Sequence, residues 1–98
     1  MAKARIEIPQ DRIAEFCRRN HIRKLSLFGS VLREDFRPDS DVDVLVEFEP
    51  GHTPGLHFFT LQAELSEILG YPVELNTLQG LSPYFRDDVQ KEQLPLYV

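Results

Sequence analysis

Asp41-Val42-Asp43-Val44-Leu45-Val46-Glu47-Phe48 is the stretch from which the rest of the chain can be read. Its period-2 alternation puts Val42, Val44, Val46 and Phe48 on one face and Asp41, Asp43, Leu45 and Glu47 on the other. The valine-rich face must meet a core, so both aspartates project together from the opposite side. Residues i and i+2 of a strand have Cα atoms about 6.6–6.8 Å apart, from a rise of ~3.3–3.4 Å per residue. Two carboxylates at that spacing can converge on a hard cation. Mg²⁺ takes a few carboxylates and leaves its other positions to water and phosphate, which this geometry permits.

Working upstream, Lys24-Leu25-Ser26-Leu27-Phe28 reads as a short extended run that ends at Gly29-Ser30, with nine residues between that pair and Ser40-Asp41-Val42-Asp43. A glycine at a strand-to-helix turn removes Cβ crowding, and the turn adds a hydroxyl and free backbone N–H groups. Those features suit a phosphate tail. Residues 31–40 have the composition of a short helical turn followed by a loop. Further back, Pro9 opens a helix over about 9–20, with Ile13, Phe16 and Cys17 on one apolar face. Cys17 is thereby expected to be a buried small hydrophobe rather than a reactive thiol.

Downstream, residues 49–55 form a Pro/Gly loop. A helix is predicted over about 56–69 from the stripe Phe58, Leu61, Leu65, Ile68 and Leu69, with Gly70 as its stop. Tyr71-Pro72-Val73-Glu74-Leu75-Asn76 reads as a third strand. Ser82-Pro83 supplies a cap and first position for a last helix over about 83–92. The order is α-β-α-β-α-β-α, an α/β (α+β) chain read as one domain over residues 1–98. Glu74, on a different strand from the aspartates, is the candidate third acid for a two-metal site.

Composition narrows the class. The chain has 98 residues, 42% hydrophobic and 28% charged, with one cysteine, which excludes an internal disulfide. No apolar run approaches the ~18 residues of a membrane span and no secretory h-region opens the chain, so a cytoplasmic protein without a membrane role is expected. The formal charge is −5, but residues 1–33 carry eight Lys/Arg against three acids, and residues 34–98 three against thirteen. An acidic total argues against a general or sequence-specific nucleic-acid binder. His21, His52 and His57 show no metal-ligand spacing and are expected to be exposed or capping residues. Phe58, Phe59 and Tyr71 lie beside apolar positions and read as core before base-stacking groups. No Ser-His-Asp or Cys-His arrangement is present.

Leu27-Phe28-Gly29-Ser30-Val31-Leu32-Arg33, then Pro38 through Glu49, then Leu69-Gly70 ahead of the third strand, together resemble the signature of the DNA polymerase β-like nucleotidyltransferases. The chain is similar in particular to the minimal nucleotidyltransferase (MNT) domains that form the antitoxin half of HEPN–MNT toxin–antitoxin pairs, and Leu94-Pro95-Leu96-Tyr97 is similar to how such proteins close. The resemblance implies a small mixed sheet backed by helices. Gly29 and Ser30 would hold the triphosphate of ATP or another NTP, with Ser40 and Arg33 as further nucleotide-side residues. Asp41, Asp43 and Glu74 would be both the Mg²⁺ ligands and the catalytic acids. The implied reaction transfers a nucleoside monophosphate, AMP in the family, to a tyrosine hydroxyl of a partner HEPN toxin.

Two departures stand out. Glu74 occupies a position where the family usually carries Asp, and one methylene of misplacement can cost ~10²-fold in rate. Glu34 follows Arg33 where many relatives have Gly. An alternative is therefore an MNT protein with a weak or dead site that neutralises its partner by binding alone. A transferase acting on a free small molecule is disfavoured, since 98 residues leave little room for an acceptor domain.

Overall fold

The computed structural model of the chain describes residues 6–33, 36, 37, 39–52 and 54–98, with Phe85 described by its backbone alone. In chain order the elements are α1 (Gln10–Arg19), β1 (Ile22–Phe28), a 3₁₀ turn (Gly29–Leu32), β2 (Val42–Phe48), α2 (His57–Leu69), β3 (Val73–Asn76), α3 (Pro83–Glu92) and β4 (Leu94–Tyr97). The four strands form one sheet in the order β3-β2-β1-β4. β1 is antiparallel to both β2 and β4, whereas β2 and β3 are parallel, with α2 as the crossover between them.

One face of this sheet carries the core. Leu25 and Leu27 of β1, Val42, Val44 and Val46 of β2, and Val73 and Leu75 of β3 cluster with Ile13, Phe16 and Cys17 of α1 and Leu61, Leu65, Ile68 and Leu69 of α2. The apolar stripes read from the sequence are thus the faces that α1 and α2 turn to the strands. Each fully buried aliphatic side chain among them stabilises the fold by about 1.5–3 kcal/mol. Cys17 is completely buried, as expected, and desolvation pushes its thiol up to about 12.

The local signals for helix ends hold. Gly70 is left-handed at φ +77° and its N–H donates to the Ser66 carbonyl at 2.8 Å, ending α2. The Ser82 hydroxyl accepts from the Tyr84 N–H at the start of α3, with Pro83 in the first turn.

Three points depart from the sequence reading. The segment Leu94–Tyr97 is a fourth strand, where the expected order ended on a helix. Pro95 masks it, because proline cannot donate to a ladder; β4 lies at the sheet edge, where that loss is tolerated. The short helical turn begins at Gly29 rather than after Ser30, and it is a single 3₁₀ turn. Finally, Leu45 is only 3% exposed although it shares the Asp43 face. It stands between Ser26 of β1 and Asn76 of β3, and Ser26 is buried too. The second face is therefore covered at its middle, around Ser26 and Leu45.

Candidate active site

Strand register builds the site. Phe28, the last residue of β1, stands opposite Asp43 of β2, and Asp43 stands opposite Glu74 of β3. The two acids therefore lie side by side on the face away from the main core, next to the point where β1 gives way to the 3₁₀ turn. This follows from backbone pairing alone, since paired residues of neighbouring strands share a face.

Gly29 makes the close approach possible. Its φ is +77°, and a Cβ built there would lie 2.5 Å from Asp43 Oδ2 and 3.3 Å from Asp43 Cγ. Any larger residue would be strained in its backbone and would occupy the space of the Asp43 carboxylate. The requirement for glycine thus comes from the acid it faces, in addition to any room for phosphate.

A cleft of about 570 Å³ opens over these residues. Gly29, Ser30, Arg33, Asp43 and the exposed Glu74 line it, joined by Asn76 of β3 and by Asp88, Val89 and Glu92 of α3. Asp43 is half-buried, and its carboxyl is raised from 3.8 to about 6. Burial is the main cause, followed by the charge of Glu74, a hydrogen bond with Glu74 and the charge of Asp41, with Arg33 pulling the other way. Asp43 thus feels the charge of two further carboxylates, Glu74 and Asp41, hard oxygen donors of the kind a divalent cation relieves.

Most of the residues singled out from the sequence can be placed. Gly29, Ser30, Arg33, Asp43 and Glu74 meet in the cleft. Asp41 is exposed just before β2 and is near enough to act on Asp43, but it does not line the cleft. Ser40 also lies outside the lining, its N–H closing a turn onto the Arg37 carbonyl at 3.0 Å. Glu34, Asp35 and Pro38, and with Glu34 the shape of the turn after Arg33, lie outside the described residues. Phe58 and Tyr71 pack against the core as expected, whereas Phe59, also expected there, is 67% exposed; none of the three lines the cleft.

Sequence reasoning missed Asp88 and Glu92. They stand one helical turn apart on α3, flanking the buried Val89, so the i, i+4 spacing was visible. Which sheet face α3 would cover was not. The Ser26 hydroxyl, buried on the same sheet face, has no hydrogen-bond partner among the described residues.

Residues 11–98 match the family model described as Polymerase beta, Nucleotidyltransferase. Among curated proteins, the protein adenylyltransferase MntA of Thermococcus cleftensis is 40% identical over 72 residues, covering 72% of this chain and 71% of that protein. Among solved structures, one described as a candidate minimal nucleotidyltransferase superposes with a TM-score of 0.72 at 36% identity, covering 88% of this chain and 87% of its own. A toxin–antitoxin crystallised with AMP-PNP superposes with a TM-score of 0.73 over 92% of this chain and 73% of its own; at 22% identity that likeness speaks to the fold. No helix among the described residues is long and apolar enough to cross a membrane.

Proposed function

The chain belongs to the polymerase β nucleotidyltransferase family, and from that premise we propose that it transfers AMP from ATP to a hydroxyl, a tyrosine's, on a HEPN toxin partner, and so acts as an antitoxin. The observation that carries the reading is the meeting of Gly29, Asp43 and Glu74: a glycine demanded by the Asp43 carboxylate, and a second acid in register beside it. The relative named protein adenylyltransferase and the toxin–antitoxin fold neighbour holding AMP-PNP support the donor and the kind of acceptor.

In this reading the Ser30 hydroxyl and the backbone of the Gly29 turn receive the triphosphate on one wall of the cleft. Arg33 adds positive charge on the same side. Asp43 and Glu74, with Asp41 nearby, are the residues that would hold Mg²⁺, and the paired carboxylates of Asp43 and Glu74 suit a hard cation. When bound, Mg²⁺ neutralises phosphate charge and orients the triphosphate for in-line displacement. Glu74 accepts the proton of the acceptor hydroxyl as its oxygen forms a bond to the α-phosphorus. The α–β phosphoanhydride bond breaks and pyrophosphate leaves. Positioning and charge neutralisation supply most of the rate, as in other phosphoryl transfers.

The register also bears on the glutamate at position 74. Glu74 stands in register beside Asp43, and its charge raises the Asp43 carboxyl with the longer side chain in place. This favours a working site over neutralisation by binding alone. The test is neutralisation in cells by wild type and by the Asp41→Asn/Asp43→Asn variant, each co-expressed with the toxin. The enzymatic reading predicts that toxicity returns with the variant. Full protection by a variant that still binds the toxin would overturn it in favour of occlusion.

A further inference from the structure

At the end of the β1–β2 pair remote from the cleft, three residues absent from the catalytic reading come together. His21 precedes β1, while Glu49 and His52 follow β2. The strands are seven residues long, which places this corner about 20 Å from Asp43 at ~3.3 Å per residue. The backbone fixes the trio: the Glu49 N–H donates to the His21 carbonyl at 2.8 Å, and the His52 N–H to the Glu49 carbonyl at 3.0 Å. His21 and His52 stack with ring centroids 4.0 Å apart and planes 17° from parallel, and His21 Nδ1 lies 3.8 Å from Glu49 Oε1. One ligand atom from each of the three lies within 4.8 Å of the others. Arg23 of β1 is paired with Glu47 at 2.9 Å.

We infer that His21, Glu49 and His52 form a binding site for a divalent transition metal of the zinc class, distinct from the acidic cleft. Two imidazole nitrogens and one carboxylate oxygen, with a fourth position open to water, match the preference of Zn²⁺ and its neighbours. Mg²⁺, which favours oxygen ligands throughout, has no such affinity for this donor set. Tetrahedral bonds of about 2.0–2.1 Å place ligand atoms roughly 3.3–3.4 Å apart. The trio must therefore close by at most about 1.4 Å, and the stacked rings must fan open. All three side chains are exposed and free to do so. The metal ties the α1–β1 corner to the loop after β2, and stabilises the folded chain by binding it in preference to the unfolded one.

The experiment uses the full chain, stripped with chelator, and titrates ZnCl₂ by calorimetry with thermal melts in parallel. The expected result is one zinc per chain with a raised melting midpoint. His52→Gln and His21→Asn should each weaken affinity at least about ten-fold and abolish the rise, since even loss of an outer-shell partner costs about 10–100-fold. Asparagine tolerates the left-handed backbone of His21, whose φ is +55°, and His52→Gln carries the test alone if that variant fails to fold. Asp41→Asn/Asp43→Asn should leave zinc binding unchanged. No zinc binding, binding indifferent to both histidine variants, or binding lost in the double aspartate variant overturns the inference.

Discussion

Gly29→Ala probes the closest approach in the site. The backbone at φ +77° costs an alanine about 1–2 kcal/mol. The new Cβ, 2.5 Å from Asp43 Oδ2, forces that carboxylate off its rotamer for about another 1 kcal/mol. The variant should therefore lose about 2–3 kcal/mol, or roughly 10–20 °C in melting midpoint for a chain of this size. The two contributions separate in a double-mutant cycle by urea denaturation. In an Asp43→Ala background the carboxylate is gone and the nearest remaining atom, Asp43 Cβ, is at an ordinary 3.5 Å. The glycine substitution should then cost only the backbone share, leaving a coupling of about 1 kcal/mol. Activity should suffer more than stability, because a misplacement of about 1 Å can cost ~10²-fold. A neutral Gly29→Ala, or an equal cost in both backgrounds, would refute the claim that this glycine exists to admit the Asp43 carboxylate.

Other expectations follow from the same geometry. Asp43 has a folded-state carboxyl raised to about 6 against an ordinary 3.8, so the folded chain holds a proton the unfolded chain releases, and stability falls as pH rises through that window. Asp43→Asn should remove this penalty. After allowance for solvent screening, the metal-free variant should be about 1–2 kcal/mol more stable than wild type at pH 8, with most of the difference gone at pH 4 in paired thermal melts. Glu74→Gln should lower nucleotidyl transfer by about 10²–10⁴-fold in a pyrophosphate-release assay, with the loss in kcat and a smaller change in KM for ATP, as for removal of a general base. Cys17, buried with its thiol pushed up to about 12, should resist a thiol reagent in the native chain and react only at the rate of unfolding, which a denaturant series checks.

The parts of the fold legible in the sequence were those set by local rules. The alternation over residues 41–48, the stripe ending at Leu69 with Gly70 behind it, and the Ser82-Pro83 start of α3 each depend on neighbours a few residues away. What stayed hidden depends on partners far along the chain. Pro95 disguised β4 because its tolerance rests on an edge position that only the sheet order reveals. Leu45 read as outward-facing because period 2 assigns a face but says nothing of what covers it. Asp43 and Glu74 were foreseen as partners through their chemistry, and register explains how they meet. Asp88 and Glu92 were missed because the side to which α3 packs is a tertiary choice. His21 and His52 lie 31 positions apart, so no short spacing could show that their rings stack.

The central claim is that this cleft moves a nucleotide onto another protein. Intact-mass spectrometry of the toxin partner after incubation with this chain, ATP and Mg²⁺ tests it directly, with Asp41→Asn/Asp43→Asn as the control. A gain of one or more whole adenylate units, absent with the control, is the predicted result. A partner that binds tightly yet keeps its unmodified mass, also when Glu74→Asp replaces the wild type, would contradict it.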